Sequence, residues 1–244
     1  MKQFRIFGIK VIVLCFALFS HYTKAQDREV MNEKLSVKEK SIITIASLTA
    51  KGDLKKLKTE LNTGLEAGLS VNEIKEILVH TYAYCGFPRS IRGLQTFMEV
   101  LNDRKANGIM DAPGKEASPI NEEDNKYQRG KTILGQLTKT PQSNTLSGYS
   151  AFAPVIDTFL KEHLFADIFE RDILTYSQRE LVTISVISTI GDAEPMLKGH
   201  LSISLNVGIL PEQLKEFIGV IEPIIGTKKT KAAKAVLTEV LKSK

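Results

Sequence analysis

Few side chains in this 244-residue chain could do proton, thiol or anion chemistry, and they are scattered. Beyond residue 25 they are His80, His163 and His200, the lone Cys85, the glutamates Glu76 and Glu216, and Arg89 directly after Pro88. A histidine beside a carboxylate can move protons. An arginine can hold a carboxylate ligand in a two-pronged fork. A thiol works as a nucleophile only when it is a thiolate. Histidines this far apart lack metal-ligand spacing, so no metal site is expected. The sequence also has no glycine-rich phosphate loop and no nucleophile elbow.

Most of these groups sit on one stretch, Ser70 to Ser90 (SVNEIKEILVHTYAYCGFPRS). Ser70 with Glu73 forms a capping box that opens a helix. Ile74, Ile77, Leu78 and Thr81 recur at helical spacing, and Gly86 with Pro88 ends the run. His80 and Cys85 are five residues apart, so they point in different directions around the helix and make no His–Cys dyad within it. Cys85 stands at the helix C-terminus, where the dipole disfavours a thiolate; that environment suits a small buried hydrophobe. Glu76 and Glu216 are either a shared acid or an exposed helix face beside Lys75 and Lys215. His163 reads as structural.

Residues 1–25 have the layout of a secretory signal peptide. Lys2, Arg5 and Lys10 precede the apolar run Val11–Ser20, and Ala25 offers a cleavage point before Gln26. The run is shorter than the roughly 20 residues that span a bilayer. Four of the 33 basic residues lie in this segment and none of the 28 acids, which leaves 29 against 28 and a net charge of +1. With so little net charge, no nucleic-acid partner is expected. The expectation is an exported protein with no membrane association after processing. A single cysteine past the leader excludes an intramolecular disulfide.

The rest of the chain is patterned as helices. A capping box at Ser36–Glu39 opens a helix that ends near Gly52; Leu54 to Ala67 follows, with Leu57, Leu61 and Leu65 on one face. The Ser70 helix is third and a fourth runs from about Ser90 to Ala106. Residues 107–148 read as a linker with a short helix at Tyr127–Leu137, and apolar residues return at helical spacing from Pro154 to Phe169. The first unit then recurs. Leu35 to Asp53 matches Leu174 to Asp192; with one residue inserted, Leu57, Leu61, Leu65 and Gly68 fall on Leu197, Leu201, Leu205 and Gly208. Lys75-Glu76 falls on Lys215-Glu216 and Gly86 on Gly226. Shared glycines and charges as well as leucines mark an internal duplication. The units are placed at 26–106 and 149–244.

The repeated segments (LSVKEKSIITIASL and GLSVNEIKEILVHTYAYCGFPRS; HLFADIFERDILTYSQRELVTISVI and GHLSISLNVGILPEQLKEFI) resemble the carboxymuconolactone decarboxylase family, which includes the alkyl hydroperoxidase D proteins. The resemblance implies an all-α fold of duplicated helical-bundle units and a homo-oligomer, a trimer resembling a hexamer of units. It places the family's site histidine at His200, eight residues before Gly208, whereas the first copy has Glu60 there. His80 and Cys85 fall on Val220 and Ile225, so each copy holds part of the polar equipment. The hydroperoxidase branch uses a Cys-x-x-Cys pair that this chain lacks beyond the leader. The expected activity is therefore a cofactor-independent lyase acting on a small carboxylate or lactone. Its catalytic candidates are His200, Glu76, His80 and Cys85, and its substrate-binding candidates Arg89, Glu60 and Glu216. A single-cysteine peroxidase using Cys85 and a non-catalytic helical module are the alternatives. The working pocket is expected between the copies.

Overall fold

The computed structural model describes residues 34–120 and 125–243; the expected signal peptide, residues 1–25, lies outside them. The first helix, α1 (Val37–Lys51), begins at a complete Ser36–Glu39 capping box and stops at Gly52, which takes a left-handed conformation (φ +77°). Asp53 then caps α2 (Leu54–Glu66), which buries Leu57 and Leu61. Helix α3 (Val71–Ala106) starts at the Ser70–Glu73 box and is broken at Gly86, where φ +80° and ψ +160° are non-helical. It is therefore two helices in sharp succession. The second begins at once after the glycine rather than near Ser90.

The second copy repeats this course. After α4 (Lys126–Thr138), two short helices α5 (Gly148–Phe152) and α6 (Pro154–Thr158) and a π-helical segment (Phe159–Ile168) come α7 (Tyr176–Ile190), α8 (Glu194–Asn206), α9 (Pro211–Ile225) and α10 (Thr227–Lys242). A Thr175–Gln178 capping box opens α7, as Ser36–Glu39 opens α1. Gly226 separates α9 from α10 with φ +81° and ψ +162°, the same backbone as Gly86. The duplication read from the residues is thus a duplication of backbone geometry. No strand occurs among the described residues, and the fold is the all-α, duplicated helical type. None of these helices is long and apolar enough to cross a membrane.

From Ser36 onward the chain forms one compact body. At its centre α1 packs on α7, and each also packs on the third helix of the other copy, α1 on α9 and α7 on α3. Every residue of α7 from Arg179 to Thr189 is buried. A helix enclosed on all sides needs apolar or small side chains round its whole circumference, which accounts for the Val, Ile, Ser and Thr run in both central helices. Two ion pairs report the symmetry: Arg179 Nη2 meets Glu76 at 2.7 Å, and its repeat mate Lys40 Nζ meets Glu216 at 2.6 Å. The copies are related by a pseudo-twofold axis passing between α1 and α7.

The segment 107–148 is more than a connector. Backbone amides of Val71 and Asn72 donate to Ala112 and Pro113 carbonyls, which ties its first part to the start of α3. Helix α4 puts Ile133 and Leu137 into a cluster with Leu164, Phe165, Ile168 and Phe169 of the π-helical region and Ile203 of α8.

Candidate functional site

His200 projects from α8 toward α7. Its Nδ1 lies 3.0 Å from Glu180 Oε2. The Glu180 side chain is fully buried and that of His200 is 15% exposed. A carboxylate in this position can accept a hydrogen bond from Nδ1–H, which leaves Nε2 as the nitrogen available for proton transfer. The other carboxylate oxygen, Oε1, is buried without a hydrogen-bond partner. In the first copy the corresponding residues are Glu60 and Ser41, which are themselves hydrogen-bonded, and burial raises the Glu60 carboxyl above its ordinary range. The same two helical positions hold a polar pair in each copy, but an imidazole in only one.

The rings of His200 and Tyr84 meet in a T-shaped arrangement, with centroids 5.8 Å apart. Tyr84 belongs to α3 of the first copy, and its other side stacks on His80 at 5.5 Å. One phenol therefore stands between the two imidazoles, joining the third helix of the first copy to the second helix of the second. The Tyr84 hydroxyl is buried and faces the Thr183 side chain. Burial, reinforced by the Glu180 charge, raises its pKa far above the usual phenol value, so it stays a proton-bearing donor.

His80 is fully buried and its protonation is fixed by its neighbours. The guanidinium of Arg179 donates from Nη1 to His80 Nδ1 at 3.2 Å. The Thr183 hydroxyl donates to the Arg179 carbonyl, so its oxygen accepts from His80 Nε2 at 2.9 Å. His80 is thus a neutral imidazole with both nitrogens occupied. Burial, then the positive charges of Arg179 and His200, hold its pKa well below the ordinary histidine value. It has no lone pair or proton to offer a substrate.

Glu76 is also committed. Its side chain, 2% exposed, accepts from Arg179 Nη2 at 2.7 Å and from Arg171 through Nε and Nη2 at 3.0–3.1 Å. Two guanidiniums occupy both of its oxygens, which suits a structural clamp between the copies better than a proton shuttle. Glu216 is paired with Lys40. Arg89 lies against the end of α1: a Cβ placed on Gly52 would come within 1.5 Å of its Nη1. Cys85 donates its S–H to the Thr81 carbonyl at 3.1 Å, and burial pushes its pKa up to about 11. His163 is half exposed and pairs with Asp167. The structure therefore brings His200, Tyr84 and His80 together and leaves Cys85, Arg89, Glu60 and Glu216 outside that cluster. Among the described residues, no group of His, Cys, Asp and Glu is arranged to hold a metal ion.

Sequence reasoning missed Glu180, Tyr84, Arg179 and Thr183. One signal was available: Arg179-Glu180 is a charged pair at the head of a run of apolar and small residues that continues to Ile190. Charges entering a buried helix must be partnered, so they point to a polar cluster even before the partners are known.

Comparison with known proteins bears on this arrangement. The sequence profile of the carboxymuconolactone decarboxylase family matches residues 16–97 and again 154–239, one match for each copy. An uncharacterized protein of Methanocaldococcus jannaschii is 24% identical over 90 residues, which cover 37% of this chain and 84% of that protein.

Proposed function

Because the chain belongs to the carboxymuconolactone decarboxylase family, we propose that it is a cofactor-independent lyase in which His200 is the general acid and base. The substrate class is a small carboxylate or lactone. The observation that carries this reading is the buried Glu180 carboxylate held 3.0 Å from His200 Nδ1. A fully buried glutamate aimed at a partly exposed imidazole fixes the ring and its tautomer and stabilises the imidazolium when it forms.

The chemistry asked of these residues is modest. When the bond to the leaving carboxylate breaks, its electron pair passes into the conjugated carbonyl or lactone of the substrate and carbon dioxide departs. The carbon that lost the carboxylate then takes the Nε2 proton of a His200 imidazolium, which leaves the neutral Nδ1–H ring, and solvent restores the proton to Nε2. Tyr84, held protonated by burial, supplies a hydrogen-bond donor beside the imidazole for the oxyanion that develops on the carbonyl. Glu76 and His80 take no part in this scheme; they hold α3 against α7 and so position Tyr84.

The peroxidase alternative finds less support. A thiol with a pKa of about 11 is ionised to roughly one part in ten thousand at pH 7, and a one-cysteine peroxidase would need an external thiol to resolve it. A proton-transfer enzyme can be detected without knowing its physiological substrate. The protein is incubated in heavy water with a panel of small lactones and unsaturated carboxylates, and deuterium incorporation and carbon dioxide release are followed by NMR. His200→Ala should lower turnover of any accepted compound by about 10²–10⁴-fold, and Glu180→Gln by less. Unchanged turnover in His200→Ala would refute the assignment.

A further inference from the structure

A second feature lies on the pseudo-twofold axis and shares no lining residue with the His200 cluster. It is an open cavity of about 400 Å³, bounded by four repeat-related pairs: Ala50 with Thr189, Lys51 with Ile190, Cys85 with Ile225, and Arg89 with Lys229. No carboxylate lines it, and among the described residues Lys51, Arg89 and Lys229 form no ion pair. We propose that this cavity is a binding site for a small polyanion, a molecule carrying two or more carboxylate or phosphate groups.

The three cations are held in place rather than free to disperse. Lys51 Nζ donates to the Ile224 carbonyl at 2.6 Å, and Lys229 Nζ donates to the carbonyls of Thr189 and Ile190. The Arg89 guanidinium rests on Gly52, whose lack of a side chain permits the approach. Each ammonium group has three donors and a guanidinium five, so every one keeps donors for a ligand after these backbone contacts.

A simpler account would have the cations do no more than cap helix ends, and the charges decide between the two. The C-termini of α1, α7, α9 and the first part of α3 converge here, at Lys51, Ile190, Ile225 and Cys85. At about half a charge each they contribute roughly −2. The second part of α3 and α10 begin at the same place, after Gly86 and Gly226, and return roughly +1. Three full cations exceed what remains and leave the cavity with about +2. That excess matches a dianion, and the volume lies within the range of small-molecule sites.

Cys85 provides a reporter inside the cavity. In the full-length protein its alkylation by iodoacetate, an anion, and by iodoacetamide, its neutral counterpart, is followed at pH 9 by peptide mass spectrometry. The iodoacetate-to-iodoacetamide rate ratio should fall roughly fivefold to tenfold in each of Lys51→Ala, Arg89→Ala and Lys229→Ala, and stay unchanged in Lys234→Ala, an exposed lysine of α10 outside the cavity. Citrate or inorganic phosphate should slow both reagents saturably in the wild type, and comparing the two anions separates a carboxylate from a phosphate ligand. A ratio insensitive to the lining cations, or equally sensitive to Lys234→Ala, overturns the proposal. If Cys85 resists both reagents, calorimetry decides. Saturable citrate or phosphate binding that is lost in the Arg89→Ala/Lys229→Ala double variant supports the site, and no binding by either anion up to about 10 mM overturns it. None of these outcomes bears on the His200 assignment, which is read from turnover.

Discussion

Replacing Glu76 with alanine separates a clamp from a catalytic acid. The carboxylate is 2% exposed and faces Arg179, which is fully buried, and Arg171, whose side chain is 39% exposed. Without Glu76, Arg171 can turn into water, while Arg179 is left as a buried charge with its hydrogen bonds to His80 and the Arg171 carbonyl but no carboxylate beside it. Breaking a buried pair from one side costs about 3–5 kcal/mol. Removing the exposed partner alone, by Arg171→Ala, should cost about 1 kcal/mol or less. With a urea slope of about 2 kcal/mol per molar, Glu76→Ala should move the unfolding midpoint down by about 2 M. The double variant Glu76→Leu/Arg179→Met removes both charges and should recover most of that loss. Urea titrations followed by circular dichroism measure all four proteins. A Glu76→Ala cost under about 1 kcal/mol, or a double variant no more stable than Glu76→Ala, would refute the clamp.

Two further outcomes follow from the same geometry. The folded protein refuses His80 a proton that the unfolded chain accepts near pH 6.5. The stability this contributes is complete above that pH and is lost as pH falls toward the folded value, at about 1.4 kcal/mol per unit. Between pH 6.5 and 5, above the range where carboxylates titrate, the loss should be about 2 kcal/mol, and His80→Gln should flatten it; an equally steep pH dependence in the variant would exclude His80 as its source. Gly86 and Gly226 share a backbone conformation near φ +80°, ψ +160° that is essentially confined to glycine. Alanine at either should cost about 1–3 kcal/mol, and a thermal melt unchanged by Gly226→Ala would mean that the chain has another way through this turn.

The local features of this protein are written in short stretches of its sequence. Ser36 with Glu39 and Ser70 with Glu73 cap the helices they precede, because a capping box needs only residues three apart. Gly52, Gly86 and Gly226 end helices because no other residue takes those backbone angles at comparable cost. The duplication was legible for the same reason, since it repeats such signals in order, and the family resemblance singled out His200 as a candidate, eight residues before Gly208. The candidate site was not legible in this way. Glu180 is 20 residues from His200, Arg179 is 103 from Glu76, and Tyr84 reaches His200 only across the interface between copies. Glu76 and His80 were catalytic candidates by residue type, yet Arg171, Arg179 and Thr183 occupy the oxygens of the one and the ring nitrogens of the other. Whether a titratable side chain is a catalyst or a clamp depends on its partners and on its distance from water. Both are set by how α1, α3, α7 and α9 pack, and neither is encoded in the spacing along any one helix.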